Sequence, residues 1–199
     1  MTTTEPTGRA APATGPGRYV AAAAVVLALT IVAVAIGVPM LLRQARPDLG
    51  AVQVHEDLPL DHVTGDVDYP VTPPVGGPHA PAWLECGTYD EPVPDENAVH
   101  ALEHGAVWIT HAPSLPREDV DALAEQLPPE GILSPHEDLP GPVVVTVWGR
   151  RLVLDGADDR RLGLFIEEYG DGHTAPEPFA SCQGGVDADG EPVGPEQGA

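Results

Sequence analysis

The feature that most constrains this chain is an uncharged run over residues 19–42, bracketed by Arg18 and Arg43. A helix needs roughly 20 predominantly apolar residues to cross the hydrocarbon core of a bilayer, which is about 30 Å thick. Because the run is rich in Ala, Val, Leu and Ile, it predicts a single transmembrane helix. A cleaved signal peptide is the alternative, since Ala33-Val34-Ala35 has a small-x-small cleavage pattern. The apolar part of a signal peptide is usually shorter, about 7–15 residues, which favours an uncleaved anchor.

The composition of the remaining segments predicts how the chain is divided. Residues 1–18 are rich in Thr, Pro, Gly and Ala, and they predict a disordered cytoplasmic tail. Residues 43–65 are expected to form a juxtamembrane linker, and residues 183–199 a disordered acidic tail. Residues 66–182 remain, and about 115 residues suit one domain with a modest core.

The charge of the part outside the predicted membrane helix excludes some partners. The chain has no lysine, and only five arginines follow residue 50, against 29 of its 31 carboxylates, a balance of −24. Such a surface repels phosphate backbones and anionic lipid headgroups, so no nucleic-acid partner is expected. A basic cell-envelope protein is a candidate partner, and simple solubility is the alternative explanation.

The orientation across the membrane depends on the cysteines. Two arginines lie on each side of the predicted helix, so the positive-inside rule does not decide. Cys86 and Cys182 are the chain's two cysteines, and such a pair in a membrane-anchored domain predicts a disulfide in an oxidising compartment. Two unpaired or metal-bound thiols are the alternative. We therefore expect a cytoplasmic N-terminus and an extracytoplasmic domain at the cell membrane.

Apolar periodicity predicts an α+β domain with a short mixed or antiparallel sheet and about three helices. The predicted helices cover residues 96–104, 116–127 and 158–169. The first is expected to be capped by Asp95 and stopped by Gly105. The predicted strands cover residues 106–110, 131–134, 143–148 and 151–155. The proline- and glycine-rich segment 67–79 is expected to be an extended surface segment.

The first predicted helix carries the densest polar cluster. His100 and His104 stand four residues apart, so both imidazoles project from one side, together with Glu103 and Glu96. Imidazole nitrogen and carboxylate oxygen are ligands for zinc or copper, and His79 is the predicted third histidine ligand. A solvated helix face is the alternative.

Other residues carry weaker signals. His111 is a less favoured metal ligand, and the tryptophans are expected to anchor the core. The remaining histidines lie in loop-like sequence and are expected to be merely exposed: His55, His62, His136 and His173.

Several motifs occur in one order along the domain: Gly77-Pro78-His79, Cys86-Gly87-x-Tyr89, His100-Ala101-Leu102-Glu103-His104-Gly105, Trp148-Gly149-Arg150-Arg151-Leu152 and the segment 176–182. In these motifs the chain resembles domain of unknown function family 3105, whose members are mostly actinobacterial and membrane-anchored. The resemblance implies one intact domain with an anchor, and it implies no activity. The residues that match the recurrent pattern are His79, Cys86, His100, Glu103, His104 and Cys182.

Three functions remain open from the sequence. The first is an extracytoplasmic metal-binding domain, with His79, His100, His104 and Glu103 holding copper or zinc. The second is a non-catalytic interaction module of the cell envelope. The third is a His/Glu hydrolase, because H-x-x-E-H also occurs in inverted zinc peptidases.

Overall fold

The computed structural model describes residue 23 and residues 25–35, 48–178 and 180–193. The chain separates into two units between Arg46 and Pro47. In the first unit the described residues are helical, and no helix in the described part of the chain is both long and apolar enough to span a membrane. The predicted span 19–42 lies partly outside the described residues, and the predicted tail 1–18 lies entirely outside them. The anchor therefore stays a prediction.

The second unit contains a six-stranded mixed sheet and three helices within its described residues, so the α+β prediction is confirmed. Its elements are β1 (Gln53–Val54), β2 (Gly87–Thr88), α1 (Asp95–Glu103), β3 (Val107–His111), α2 (Arg117–Ala124), β4 (Gly131–Pro135), β5 (Val143–Val147), β6 (Arg150–Leu154) and α3 (Arg161–Tyr169). The strand order is β1-β6-β5-β3-β4-β2. The four longer strands and all three helices were predicted to within a few residues.

The connections explain the mixed sheet. Strands β2, β4 and β3 are parallel, whereas β3–β5, β5–β6 and β1–β6 are antiparallel. Parallel strands need a crossover connection, and α2 supplies one between the neighbours β3 and β4. Helix α1 supplies another between β2 and β3, which lie on either side of β4. β5 and β6 form a tight hairpin through Gly149, whose φ of +71° suits glycine.

The sheet separates two hydrophobic clusters. Trp108 belongs to one cluster, and its neighbours Val107 and Ile109 belong to the other. Because successive strand residues point to opposite faces, the clusters lie on opposite sides of the sheet. We call the side packed on α1 the α1 face and the opposite side the α2–α3 face. Trp108 and Trp148 are buried on the α1 face, which confirms them as core anchors, and Trp83 packs there half-buried.

Irregular segments contribute more to the domain than the sequence suggests. β1 lies inside the predicted linker 43–65 and extends the sheet, and Val186 in the predicted acidic tail is buried. The segment 67–79 is not simply a surface segment, because residues 73–77 are buried. A Cβ on Gly76 would lie 2.8 Å from the Leu58 side chain and about 3 Å from the Trp148 ring. The missing side chain lets the backbone pack on that ring.

The predicted cap of α1 is wrong. The N-cap residue is Pro94, with no side-chain cap hydrogen bond, and Asp95 is the first helical residue. The Asp95 carboxylate instead accepts a hydrogen bond from His136 Nε2 at 3.1 Å. A carboxylate in the first turn still interacts favourably with the helix dipole.

Candidate metal centre

The polar side of α1 is buried. His100 is 5% exposed and Glu103 4% exposed, so the alternative of a solvated helix face is wrong. Two loops cover this side and hydrogen-bond to the helix backbone. Ala80 N donates to Glu96 O, and Glu177 N donates to Glu103 O. The helix therefore presents its imidazoles and carboxylate to protein rather than to water.

Loop backbone contacts position two further histidines. His79 and His62 form a parallel β-bridge, in which Val63 N donates to His79 O at 2.7 Å and His79 N donates to Asp61 O at 3.1 Å. The hydroxyl of Tyr69 donates to the carbonyl of Pro78 at 2.7 Å. His79 is thereby fully buried against α1, and His62 is brought beside it with half of its side chain exposed.

Three imidazoles converge on one carboxylate oxygen. Glu103 Oε2 lies 3.0 Å from His79 Nε2. The same oxygen lies 3.9 Å from His62 Nε2 and 3.9 Å from His100 Nε2. One ligand atom from each of the four residues lies within 4.8 Å of all the others. We call His62, His79, His100 and Glu103 the histidine cluster.

Backbone carbonyls fix the ring nitrogens of the two buried histidines. His79 Nδ1 lies 2.8 Å from Gly77 O, and His100 Nδ1 lies 2.7 Å from Ala80 O. A carbonyl only accepts, so each Nδ1 carries the proton and each Nε2 turns toward the centre of the cluster. Metal-bound histidines show this arrangement, in which a carbonyl or carboxylate holds the other nitrogen.

The electrostatics of His100 favour a free lone pair. Burial is the main cause that lowers the pKa of His100 to about 4, and the neighbouring imidazoles of His104, His79 and His62 act in the same direction. The hydrogen bond to Ala80 O opposes this shift. His100 is therefore neutral near pH 7, as a metal ligand must be.

The spacing of the histidine cluster fits a small transition-metal ion. Bonds of about 2.0–2.1 Å in a tetrahedral zinc site place ligand atoms about 3.3–3.4 Å apart. The three distances to Glu103 Oε2, from 3.0 to 3.9 Å, lie on both sides of that value. Three nitrogens and one carboxylate oxygen suit zinc or copper, and the half-exposed His62 has room to close the remaining gap.

His104, the fourth residue of the predicted ligand set, lies beside the cluster and is not part of it. Its ring centroid is 4.7 Å from that of His100. However, its Nδ1 lies 3.1 Å from Ser181 O, and its Nε2 lies 3.7 Å from Glu177. The two histidines of H-x-x-E-H therefore have different partners, whereas an inverted zinc peptidase would use both on one ion.

The other candidate ligands have separate partners. Glu96 Oε1 accepts a hydrogen bond from Val67 N at 2.8 Å, and His111 Nδ1 donates to Ala112 O at 3.0 Å. His62 is exposed as expected, but its β-bridge to His79 also brings it into the cluster, which was not predicted. No pattern in the sequence predicts this position of His62, since a single β-bridge between two loops holds it beside His79. His55 and His136 are partly buried, whereas His173 is exposed as expected.

The disulfide between Cys86 and Cys182 is confirmed, and the alternative of unpaired thiols is wrong. The two Cα atoms lie 5.3 Å apart, and Cys86 N donates to Cys182 O at 3.1 Å. This bond joins the segment directly before β2 to the loop whose Ser181 carbonyl contacts His104.

Comparison with known proteins gives a family and no activity. A family described as "Protein of unknown function (DUF3105)" matches residues 62–184. The match covers more than half of the chain, so the chain belongs to this family, as its motifs predict. The matched segment contains the whole histidine cluster and both cysteines. No curated protein and no solved structure matches the chain.

Proposed function

We propose that this domain binds one zinc or copper ion through Nε2 of His62, His79 and His100 and a carboxylate oxygen of Glu103. The observation that carries the proposal is the convergence of three Nε2 atoms on one buried carboxylate oxygen. A purely structural ion pair would need only His79 and Glu103. In the described part of the chain, His100 Nε2 has no hydrogen-bond partner, although its ring is nearly buried.

Binding would exchange a proton for the metal. The separation of 3.0 Å between His79 Nε2 and Glu103 Oε2 is that of a hydrogen bond, in which one proton lies between the two atoms. A metal ion takes the place of this proton, which leaves for solvent. The Nδ1–H groups stay on the carbonyls of Gly77 and Ala80, so the rings need not flip. The excess of carboxylates on the domain raises the local concentration of cations.

The proposed role is metal handling on the outer side of the cell membrane. The uncharged run over residues 19–42 supports the anchor, and the disulfide supports an oxidising compartment. The half-exposed His62 is the ligand through which the ion enters and leaves. A tight, closed structural site would bury all four ligands.

A second candidate function is the docking of a basic cell-envelope protein. The balance of five arginines against 29 carboxylates after residue 50 favours it. Such docking would weaken steeply with added salt. Crosslinking in intact cells should then capture one partner whose yield does not depend on the histidine cluster.

The metal proposal is tested on the purified full-length chain. The chain is loaded with excess Zn²⁺ or Cu²⁺, free metal is removed by gel filtration, and bound metal is measured by mass spectrometry. We expect one ion per chain for the wild type and a clear loss for His100→Ala and Glu103→Gln. His173→Ala is the control, because His173 is half-exposed and lies outside the cluster. A wild type that retains no metal, or a His100→Ala variant that retains a full equivalent, would refute the proposal.

A further inference from the structure

A second site surrounds the disulfide. The carboxylate of Glu130 is half-buried, and its Oε2 accepts hydrogen bonds from Ser181 Oγ at 2.8 Å and from Cys182 N at 3.0 Å. The same oxygen lies 3.4 Å from Cys182 Sγ and 3.5 Å from Cys86 Sγ. Within the described residues, Glu130 has no ion pair.

The disulfide itself does not account for this carboxylate. Bonded sulfurs carry no hydrogen, so they offer Glu130 Oε2 nothing to accept. A negative oxygen beside two sulfurs is useful when the sulfurs carry protons or share a cation with it. The arrangement is therefore suited to the reduced state of the cysteine pair.

The distances fit a metal ion. With zinc–sulfur bonds of about 2.3 Å and a zinc–oxygen bond of about 2.0 Å, tetrahedral geometry places sulfur and oxygen about 3.5 Å apart. Glu130 Oε2 is already at this distance from both sulfurs. After reduction, the sulfurs would have to separate to roughly 3.8 Å, the spacing of two thiolates on one zinc ion. Cys182 lies in a loop, and Cys86 directly precedes the short strand β2.

We propose that reduction converts this disulfide into a second metal site, formed by Cys86 Sγ, Cys182 Sγ and a carboxylate oxygen of Glu130. A dithiol reductant supplies two electrons and two protons, the sulfur–sulfur bond breaks, and the reductant becomes a disulfide. A thiophilic dication such as Zn²⁺ then binds both sulfurs as thiolates and releases two protons. Three negative ligands in a half-buried site need this dication, and water fills the fourth position. The site does not depend on the histidine cluster.

Cobalt(II) tests the proposal on the full-length chain. The chain is reduced with a dithiol, the reductant is removed without oxygen, and Co²⁺ is titrated in. We expect a thiolate-to-cobalt charge-transfer absorption and one more bound equivalent than in the oxidised chain. Cys86→Ser should abolish the absorption, and Glu130→Gln should weaken cobalt binding about tenfold or more. Glu125→Gln is the matched control, since that carboxylate is exposed, and it should change nothing.

The same experiment separates the two metal sites. His100→Ala should leave the charge-transfer absorption intact, because imidazole and carboxylate ligands do not produce it. The proposal is overturned if the reduced chain shows no such absorption or if Glu130→Gln binds cobalt as well as the wild type does. It is also overturned if circular dichroism shows that the reduced chain unfolds, because the site requires a fold that survives without the bond.

Discussion

The two faces of the sheet are built from different material. On the α2–α3 face, regular helices place apolar side chains such as Leu162 and Phe165 against the strands. On the α1 face, one short helix shares the surface with irregular loops, and the buried groups include His79, His100 and Glu103. Both faces therefore carry a hydrophobic cluster, and the α1 face in addition holds polar groups in fixed geometry. Variants on the two faces should therefore have different effects.

The largest effect is expected on the α2–α3 face. Phe165 is fully buried, and Phe165→Ala should lower the free energy of unfolding by about 3–5 kcal/mol through lost burial and a cavity. Denaturant titration of the metal-free chain measures this loss. The folded fraction should still bind one metal ion, since Phe165 lies on the side away from the histidine cluster. A Phe165→Ala variant that kept its stability but lost metal binding would contradict this division of roles between the two faces.

A smaller effect is expected for His62→Ala, and it should fall on metal binding rather than on folding. Loss of this ligand should weaken zinc binding about 10- to 100-fold, or about 1.4–2.7 kcal/mol, in a competition titration. The half-exposed side chain contributes little to the core, so unfolding of the metal-free chain should change by less than about 0.5 kcal/mol.

His104→Ala sharpens this test. The H-x-x-E-H pattern predicts that His104 is a ligand, whereas the geometry gives that place to His62. Zinc affinity should therefore fall much less in His104→Ala than in His62→Ala. The reverse order would restore the ligand set that the sequence predicts.

Acid should destabilise the α1 face through His100. The pKa of His100 is about 4 in the folded chain and near 6.5 when unfolded, so between these values only the unfolded chain binds the proton. The free energy of unfolding of the metal-free chain should thus fall as the pH drops from about 6.5 to 4. One proton contributes at most about 1.4 kcal/mol per pH unit. His100→Asn keeps a donor for Ala80 O, does not titrate and should show a shallower decline, and an equal decline would contradict this assignment.

The smallest effect is expected at two exposed ion pairs that Arg117 forms on the protein surface. Arg117 contacts Asp90 at 3.0 Å and Asp121 at 2.9 Å, and all three side chains are exposed. Such pairs are screened by water and salt. Arg117→Ala should lower the melting temperature slightly in low salt and leave it unchanged in high salt. A large change of the melting temperature in high salt would show that these ion pairs stabilise the fold, contrary to this expectation.

The longer helices and strands could be predicted from the sequence because their apolar residues form recognisable patterns, which indicate the faces that are buried. The spacing of Leu162, Phe165, Ile166 and Tyr169 predicts α3, and the apolar run over residues 143–148 predicts β5. The two-residue strands β1 and β2 are too short to show a period. They form because the outer edges of β6 and β4 offer them backbone partners, which only the assembled sheet reveals.

The candidate site was predictable to the extent that it lies on a helix. The spacing of His100 and Glu103 places both on one side of α1, and Cys86 tethers the segment of His79 near that helix. The exchange of His104 for His62 was not predictable. This exchange depends on the loop groups that each ring contacts. The ring of His104 contacts the carbonyl of Ser181 and the carboxylate of Glu177, whereas a β-bridge holds His62 beside His79.

X-ray absorption spectroscopy of the zinc-loaded, oxidised full-length chain tests the histidine cluster most directly. We expect one zinc ion with three imidazole nitrogens and one carboxylate oxygen at about 2.0–2.1 Å, and no sulfur ligand. The zinc ion should lose one imidazole ligand in His62→Ala and should keep all three in His104→Ala. A wild-type chain that retains no zinc, or whose zinc ion has fewer than three imidazole ligands, would contradict the proposed ligand set.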